Sequence, residues 1–287
     1  PLGWDGTKAS GGYLAQVADV TEHHQLEQER EATLNILHLL NSAYNRTDLM
    51  ESVLLCMKNW SGCEAVGIRL KEGDDYPYYV TSGFDDAFVK AESGLCARDS
   101  QGSILRDKNC NPVLDCMCGN VIQGRFDPSL PFFTENGSFW TNCTTELLAS
   151  TSEADRQSRT RNRCNGEGYE SVAMVPLRFG KETFGLLQMN DRRRDCFTKE
   201  KIRIFECLAG NLAIGLAQRK SIQELRYSRE RLNFVIEGAR LGWWDWDIRT
   251  GKVTRSQVWA DMLGYTIEEA QEPELFNTLT ASGPVQD

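Results

Sequence analysis

The stretch Tyr169-Glu170-Ser171-Val172-Ala173-Met174-Val175-Pro176-Leu177-Arg178-Phe179, then Gly180-Lys181-Glu182, then Thr183-Phe184-Gly185-Leu186-Leu187-Gln188-Met189-Asn190-Asp191, decides the fold. Val172, Met174, Leu177 and Phe179 are apolar, as are Phe184, Leu186, Leu187 and Met189. Two runs rich in apolar and β-branched residues, divided by a short polar turn with a glycine, predict a β-hairpin. Gly180 suits the turn because it takes positive φ without strain. The second run is nearly continuous in apolar side chains, the pattern of a strand covered on both faces. Pro176 cannot donate to a ladder, so its nitrogen is expected to face a bulge or a gap.

Downstream, Ile202, Phe205, Leu208, Ala209, Leu212, Ala213 and Leu216 recur at helical spacing. A strand hairpin followed by a long amphipathic helix predicts a sheet packed on a helical layer, an α+β domain. Val175-Pro176-Leu177, a short turn, and Gly185-Leu186-Leu187 before that helix resemble the GAF family of small-ligand sensor domains, over residues 30–218. The resemblance implies an antiparallel sheet with helices on its faces and long helical linkers at both ends.

Upstream, Thr47 or Asp48 is expected to cap a helix running to about residue 60. Strands are expected over 65–71 and 76–81, and a short helix over 84–92. From 93 to 166 the pattern breaks. This region holds Cys96, Cys110, Cys116, Cys118, Cys143 and Cys164, with Phe132, Phe133, Phe139 and Trp140. Loops of such length are functional or disordered, and the aromatic content argues against disorder. In GAF domains the corresponding region walls the ligand pocket.

The flanks differ in kind. Residues 13–20 read as a strand, and its close on Asp19-Val20-Thr21-Glu22 resembles the C-terminal edge of a PAS sensor domain. A helix over 23–46 carries a partial stripe of Leu26, Leu34, Leu37, Leu40 and Tyr44. It reads equally as a dimerising coiled coil or as a helix packed on its own domain. His38, among Leu and Ile, is expected to pack rather than to accept phosphate. Residues 219–231 intersperse both charge signs, a linker signature. From Leu232 onward, Trp243-Trp244-Asp245-Trp246-Asp247 and Trp259-Ala-Asp-Met-Leu-Gly-Tyr265 resemble the opening of a PAS domain. The expected organisation is the end of a PAS domain (1–22), a linker helix (23–46), a GAF domain (47–218), a second linker (219–231) and the first part of another PAS domain (232–287). Trp243, Trp244 and Trp246 are expected to be exposed there. The chain begins without Met and stops soon after a Gly-Pro, and reads as a fragment of a larger protein.

At 287 residues and 40% hydrophobic content the chain can bury one to three cores. A net charge of −9 argues against a nucleic-acid partner. No apolar run reaches the ~20 residues that cross a bilayer, and no signal peptide is visible. The expected location is the cytoplasm. There, ten cysteines favour reduced thiols, metal or cofactor chemistry over disulfides.

The leading chemical signal is Asp115-Cys116-Met117-Cys118-Gly119, with Cys143 and Cys164 further on. Four thiolates can hold zinc, although Cys-x-Cys spacing is unusual for it. Some GAF sensors that resemble this chain carry haem through a cysteine, which makes the Cys-Met-Cys segment an attachment candidate. No His lies within 47–218, so that domain offers no imidazole. Alternatively Cys116 or Cys118 pairs with Cys143 or Cys164 on oxidation, or the four are small buried hydrophobes. Phe139 and Trp140 are candidates for the wall of a ligand site, with core packing as the alternative. Arg159, Arg161 and Arg163 read as a solvated face, with an anion site as the rival. No Walker loop, Ser/His/Asp set or ATP-lid motif is present, so the chain is not expected to be an enzyme. These readings converge on a sensory input region of a signalling protein, a histidine kinase being foremost. It would bind a small molecule or sense redox state and would pair as a homodimer through its linker helices. The alternative is a dimerisation module with no ligand.

Overall fold

The computed structural model describes residues 45–156 and 160–271, together with Glu27, Arg30, Leu34 and His38. Those four single positions are helical and exposed, so His38 does not have the packed setting expected of it. The strand expected over 13–20, the rest of the helix over 23–44, Arg159 and residues 272–287 lie outside the described residues.

Helix α1 spans Arg46–Ser61. Its N-cap is Asn45, whose side-chain oxygen accepts from the Asp48 N–H at 2.9 Å. The cap therefore lies upstream of the expected Thr47 or Asp48. Asn is among the strongest N-caps, and Asp48 adds negative charge in the first turn, where the helix dipole favours it.

Strands β1 (Ala65–Leu70), β2 (Tyr78–Ser82), β3 (Phe139–Thr141), β4 (Ser171–Phe179) and β5 (Glu182–Asp191) form one antiparallel sheet in the order β2-β1-β5-β4-β3. The hairpin read from the sequence is β4–β5, and Gly180 turns it at φ 60°. Pro176 is accommodated as expected. A bulge follows at Leu177/Arg178, and β3 begins at Phe139, opposite Met174, so Pro176 lies beyond its end. At Gly185 the backbone of β5 meets β1 so closely that a Cβ would stand 2.0 Å from the Arg69 carbonyl oxygen.

Strand periodicity divides the sheet into two faces. Val66, Ile68, Val175, Leu177, Leu187 and Met189 point toward α1 and the long helix α6 (Lys199–Gly238), where Met50, Val53, Phe205, Leu208 and Leu212 complete one core. Val172, Met174 and Leu186 point the other way. They meet Phe88 of α2 (Asp86–Glu92), Val121 of α3 (Cys116–Gln123) and Phe132, Phe133 and Phe139. This second core is the one that positions the site. The α+β class and the antiparallel sheet with helices on both faces are those expected.

The stretch 93–166 has more structure than its periodicity shows. Two eight-residue-spaced turns are built on Asp99, which accepts from the N–H groups of Gln101 and Ser103, and Asp107, which accepts from those of Asn109 and Asn111. Isolated bridges such as Cys96 to Leu114 and Arg98 to Ile104 link their arms. Each Asx turn is set by a single residue, so the pair leaves no apolar periodicity. After α3 and β3 come α4 (Thr144–Ser150) and α5 (Arg163–Gly166).

The chain divides into two units, Pro1–Gln218 and Arg219–Asp287, and α6 belongs to both. The helix runs unbroken past Arg231, so the boundary expected at 231/232 falls within it. The second unit carries a hairpin of β6 (Trp244–Asp247) and β7 (Lys252–Arg255), then α7 (Gln257–Leu263) and α8 (Ile267–Ala270). Trp243, Trp244 and Trp246 are exposed, as expected. Among the described residues no helix is long and apolar enough to cross a membrane.

Candidate functional site

The second face of the sheet carries a cluster of buried polar side chains. Arg69, Gln188 and Asn190 alternate with core residues of β1 and β5 and are fully or almost fully buried. Buried polar groups are costly unless hydrogen-bonded, and their partners define a site.

Gln188 is its hub. Its side-chain oxygen accepts from the Tyr78 hydroxyl at 2.9 Å and from the Cys118 thiol at 3.5 Å. Its amide nitrogen donates to Asn190 Oδ1 at 3.1 Å and to the Cys164 sulfur at 3.7 Å. Burial pushes the Tyr78 phenol well above its ordinary range, which keeps it a donor. Arg69 stacks over the Tyr78 ring at 3.6 Å. Its guanidinium donates to the carbonyls of Tyr76, Glu92 and Ser93, while its Nε has no partner. A buried cation thus lies beside the cysteines.

Cys116 and Cys118 open α3, which is buried along almost its whole length. Cys116 takes φ 65°, a left-handed backbone that costs an L residue roughly 1–2 kcal/mol. A thiol hydrogen bond from Cys118 brings the Cys116 pKa down to about 6, against its burial; the N–H groups of Arg161 and Met117 assist. The same bond and burial push Cys118 well up. Burial, with Cys116 nearby, pushes Cys164 up to about 12. One thiol of the three is therefore predisposed to be the thiolate, and thiolates are the nucleophilic form.

Cys116 and Cys164 border a cavity of about 50 Å³ whose apolar wall includes Phe139, Leu147, Val172 and Met174. Arg156 also lines it. This side chain is buried, with its Nη1 held by the Thr151 carbonyl and hydroxyl at 2.6 and 2.7 Å, but its Nε has no partner.

The expected site residues separate into two groups. Cys116, Phe139 and Cys164 line the cavity, and Cys118 lies against them, 3.6 Å from the Met174 sulfur. Trp140 does not join them. It follows Phe139 on a strand, so it faces the opposite side and packs on the α1–α6 core. Cys143 is also apart. It caps α4, accepting from the Glu146 N–H and donating to the Glu170 carboxylate at 3.3 Å. Cys116, Cys118, Cys143 and Cys164 therefore do not converge as a zinc site. Among the described residues no group of three or more His, Cys, Asp or Glu could hold a metal ion. Haem does not fit this arrangement either, because cofactor pockets span ~300–1,000 Å³ against about 50 Å³ here. Arg163 is exposed and reaches Glu167 at 3.0 Å, as a solvated face would, whereas Arg161 is half-buried, 3.7 Å from both the buried Glu92 and Asp115.

Sequence reasoning missed Arg69, Tyr78, Arg156 and Gln188. For two of them a signal existed. Arg69 interrupts Ala65-Val-Gly-Ile-Arg-Leu70, and Gln188 interrupts Leu186-Leu-Gln-Met189. A polar residue within an otherwise buried strand needs a partner on its own face.

No protein-family model matches the chain, and no curated protein does. Among solved structures it is similar to the GAF domain of a phosphoenolpyruvate-protein phosphotransferase from Coxiella burnetii, with 12% identity over 68% of this chain and 96% of that one, and a TM-score of 0.44. The GAF domain of the Acinetobacter phosphoenolpyruvate-protein phosphotransferase gives 13% identity, 69% and 96% coverage, and 0.45. A free methionine-R-sulfoxide reductase from Neisseria meningitidis, in complex with its substrate, gives 13% identity, 67% and 91% coverage, and 0.43. The fold described here stands on its own sheet order and helix placement, not on these likenesses.

Proposed function

We propose that this chain is a sensory input region of a signal-transduction protein, in which a GAF-type domain senses a small ligand or thiol redox state at the cavity beside Cys116 and Cys164. The observation that supports it best is the way this cavity is tied to the long helix. Phe139 borders the cavity, and the segment that leads into it is held on α6: Thr134 Oγ1 and Asn136 Nδ2 donate to the Glu206 carboxylate at 2.5 and 2.7 Å. Just beyond β3, Asn142 exchanges two hydrogen bonds with the backbone of Phe197, at 2.8 and 2.9 Å. A change in the cavity that moves Phe139 would pull on both anchors. Such a signal requires the two states of the helix to differ in their affinity for the sensed molecule.

The rest of the reading belongs to the same proposal. PAS domains flank the sensor, a histidine kinase is the foremost output, the setting is cytoplasmic with reduced thiols, and the chain itself is regulatory rather than catalytic. Pairing as a homodimer through the linker helices is supported by Ile222, Leu225, Leu232 and Val235, which stand exposed along α6. The test is native mass spectrometry with an absorption spectrum, on reduced and on oxidised protein. A retained small molecule, or a loss of two mass units per disulfide closed, is expected. An unchanged mass with ten free thiols in both states, in a protein that dimerises, would replace this reading by a ligand-free dimerisation module.

A further inference from the structure

We infer that the cavity is a reaction site for a small hydroperoxide, with Cys116 as the attacking thiolate and Cys118 as the resolving thiol. The inference rests on the sensory reading above and names its stimulus. Size comes first. A water needs roughly 10–15 Å³ of such space, so about 50 Å³ admits hydrogen peroxide or methyl hydroperoxide and excludes aromatic hydroperoxides. The walls are mostly apolar, yet the buried Arg156 Nε has no partner in the protein and is available to donate to a peroxide oxygen. Cys116 borders this space, and the Cys118 thiol, behind that wall, is hydrogen-bonded to Cys116. Gln188 and Met174 hold Cys118 from behind. Residues two apart in a regular helix point away from each other, but Cys116 leaves helical geometry at φ 65°, and the hydrogen bond between the two thiols brings the sulfurs together.

The chemistry balances with the hydroperoxide as oxidant. The Cys116 thiolate attacks one peroxide oxygen, an S–O bond forms, the O–O bond breaks, and the leaving alkoxide or hydroxide takes a proton from solvent. Cys118 then attacks the Cys116 sulfur. An S–S bond forms, the S–O bond breaks, and water leaves carrying the Cys118 proton. Two thiols are oxidised, and the peroxide is reduced to an alcohol (or water) and water.

The test exposes the full reduced chain to hydrogen peroxide, quenches with an alkylating agent and maps the peptides. Expected are a Cys116–Cys118 link, eight of the ten thiols still free, and a reaction at least tenfold faster than in Cys116→Ser. Cys118→Ser should stop at a sulfenic acid on Cys116, trapped by dimedone. Cumene hydroperoxide should react at least tenfold more slowly than hydrogen peroxide. Equal rates in Cys116→Ser, first oxidation at exposed Cys110 or Cys207, or equal rates with cumene hydroperoxide would overturn the inference. A retained ligand without fast peroxide reaction would sink this inference alone. Fast closure of the pair with no change in α6 would sink the sensory reading alone.

Discussion

Replacing Gln188 by Leu tests the hub of the buried network. The side chains are close in volume, so little cavity opens. The loss is in hydrogen bonding: the Tyr78 hydroxyl and Asn190 Oδ1 each lose a buried partner, and the Cys118 thiol loses one of its acceptors. Leaving a buried polar group unsatisfied costs about 1–3 kcal/mol. Two such groups give about 2–6 kcal/mol, and removing the amide's own desolvation offsets about 1–2 kcal/mol of it. A net destabilisation of about 1–4 kcal/mol is expected. In urea, with a slope of about 2 kcal/mol/M, the midpoint should fall by about 0.5–2 M. Circular dichroism follows it, with the slope required to stay constant. The companion variant Tyr78→Phe removes the orphaned hydroxyl. The double variant should therefore cost at least about 1 kcal/mol less than the sum of the singles. A midpoint shift below about 0.3 M, or strict additivity, would refute the network as a stabilising unit.

Alkylation of Cys116 should rise with pH through about 6 and then level off, whereas an ordinary thiol keeps rising toward 9.0; peptide-resolved mass spectrometry reads both. Glu170 supplies an acid-range prediction. Burial pushes its carboxyl up, but bonds from the Thr145 hydroxyl and N–H and the Cys143 thiol, with the Arg194 charge, bring it down to about 2. Because the folded pKa lies below the ordinary glutamate value of 4.5, its stabilisation is present above that pH and is lost as pH falls toward 2. Glu170→Gln should flatten the acid limb of stability in that window, as thermal melts across it would show. Gly185→Ala should destabilise by at least about 3 kcal/mol, on the scale of severe core mutations, since its Cβ meets the Arg69 carbonyl oxygen at 2.0 Å; a loss under about 1 kcal/mol would mean the sheet relaxes freely there.

The hairpin and the long helix were legible in the sequence because their signals are local and periodic. Ile202, Phe205, Leu208 and Leu212 announce a buried stripe, and it is buried. The helix cap was misplaced because Asn45, Thr47 and Asp48 compete within one turn, and only the backbone geometry selects Asn45. The fold of 93–166 was hidden because Asp99 and Asp107 each set a turn locally, and their single repeat, Arg98-Asp99 and Arg106-Asp107, is too brief to register as hydrophobic periodicity. Phe139 and Trp140 were grouped by proximity in sequence, yet neighbours on a strand face opposite ways. The network itself depends on β5 lying between β1 and β4, which brings Arg69, Tyr78, Cys118, Cys164 and Gln188 together. Such long-range pairing is not encoded in any short window. Cys116 and Cys118 were found because their residue type carries chemistry whatever the fold.

The most direct measurement is hydrogen exchange on the reduced protein and on protein oxidised by hydrogen peroxide, read peptide by peptide over 134–142 and 199–218. Oxidation is expected to change exchange in both segments, and Glu206→Ala, which removes the carboxylate that anchors Thr134 and Asn136, is expected to abolish the change in 199–218 while leaving that near Phe139. Identical exchange of 199–218 in the two states of the unsubstituted chain would contradict a sensor that speaks through this helix.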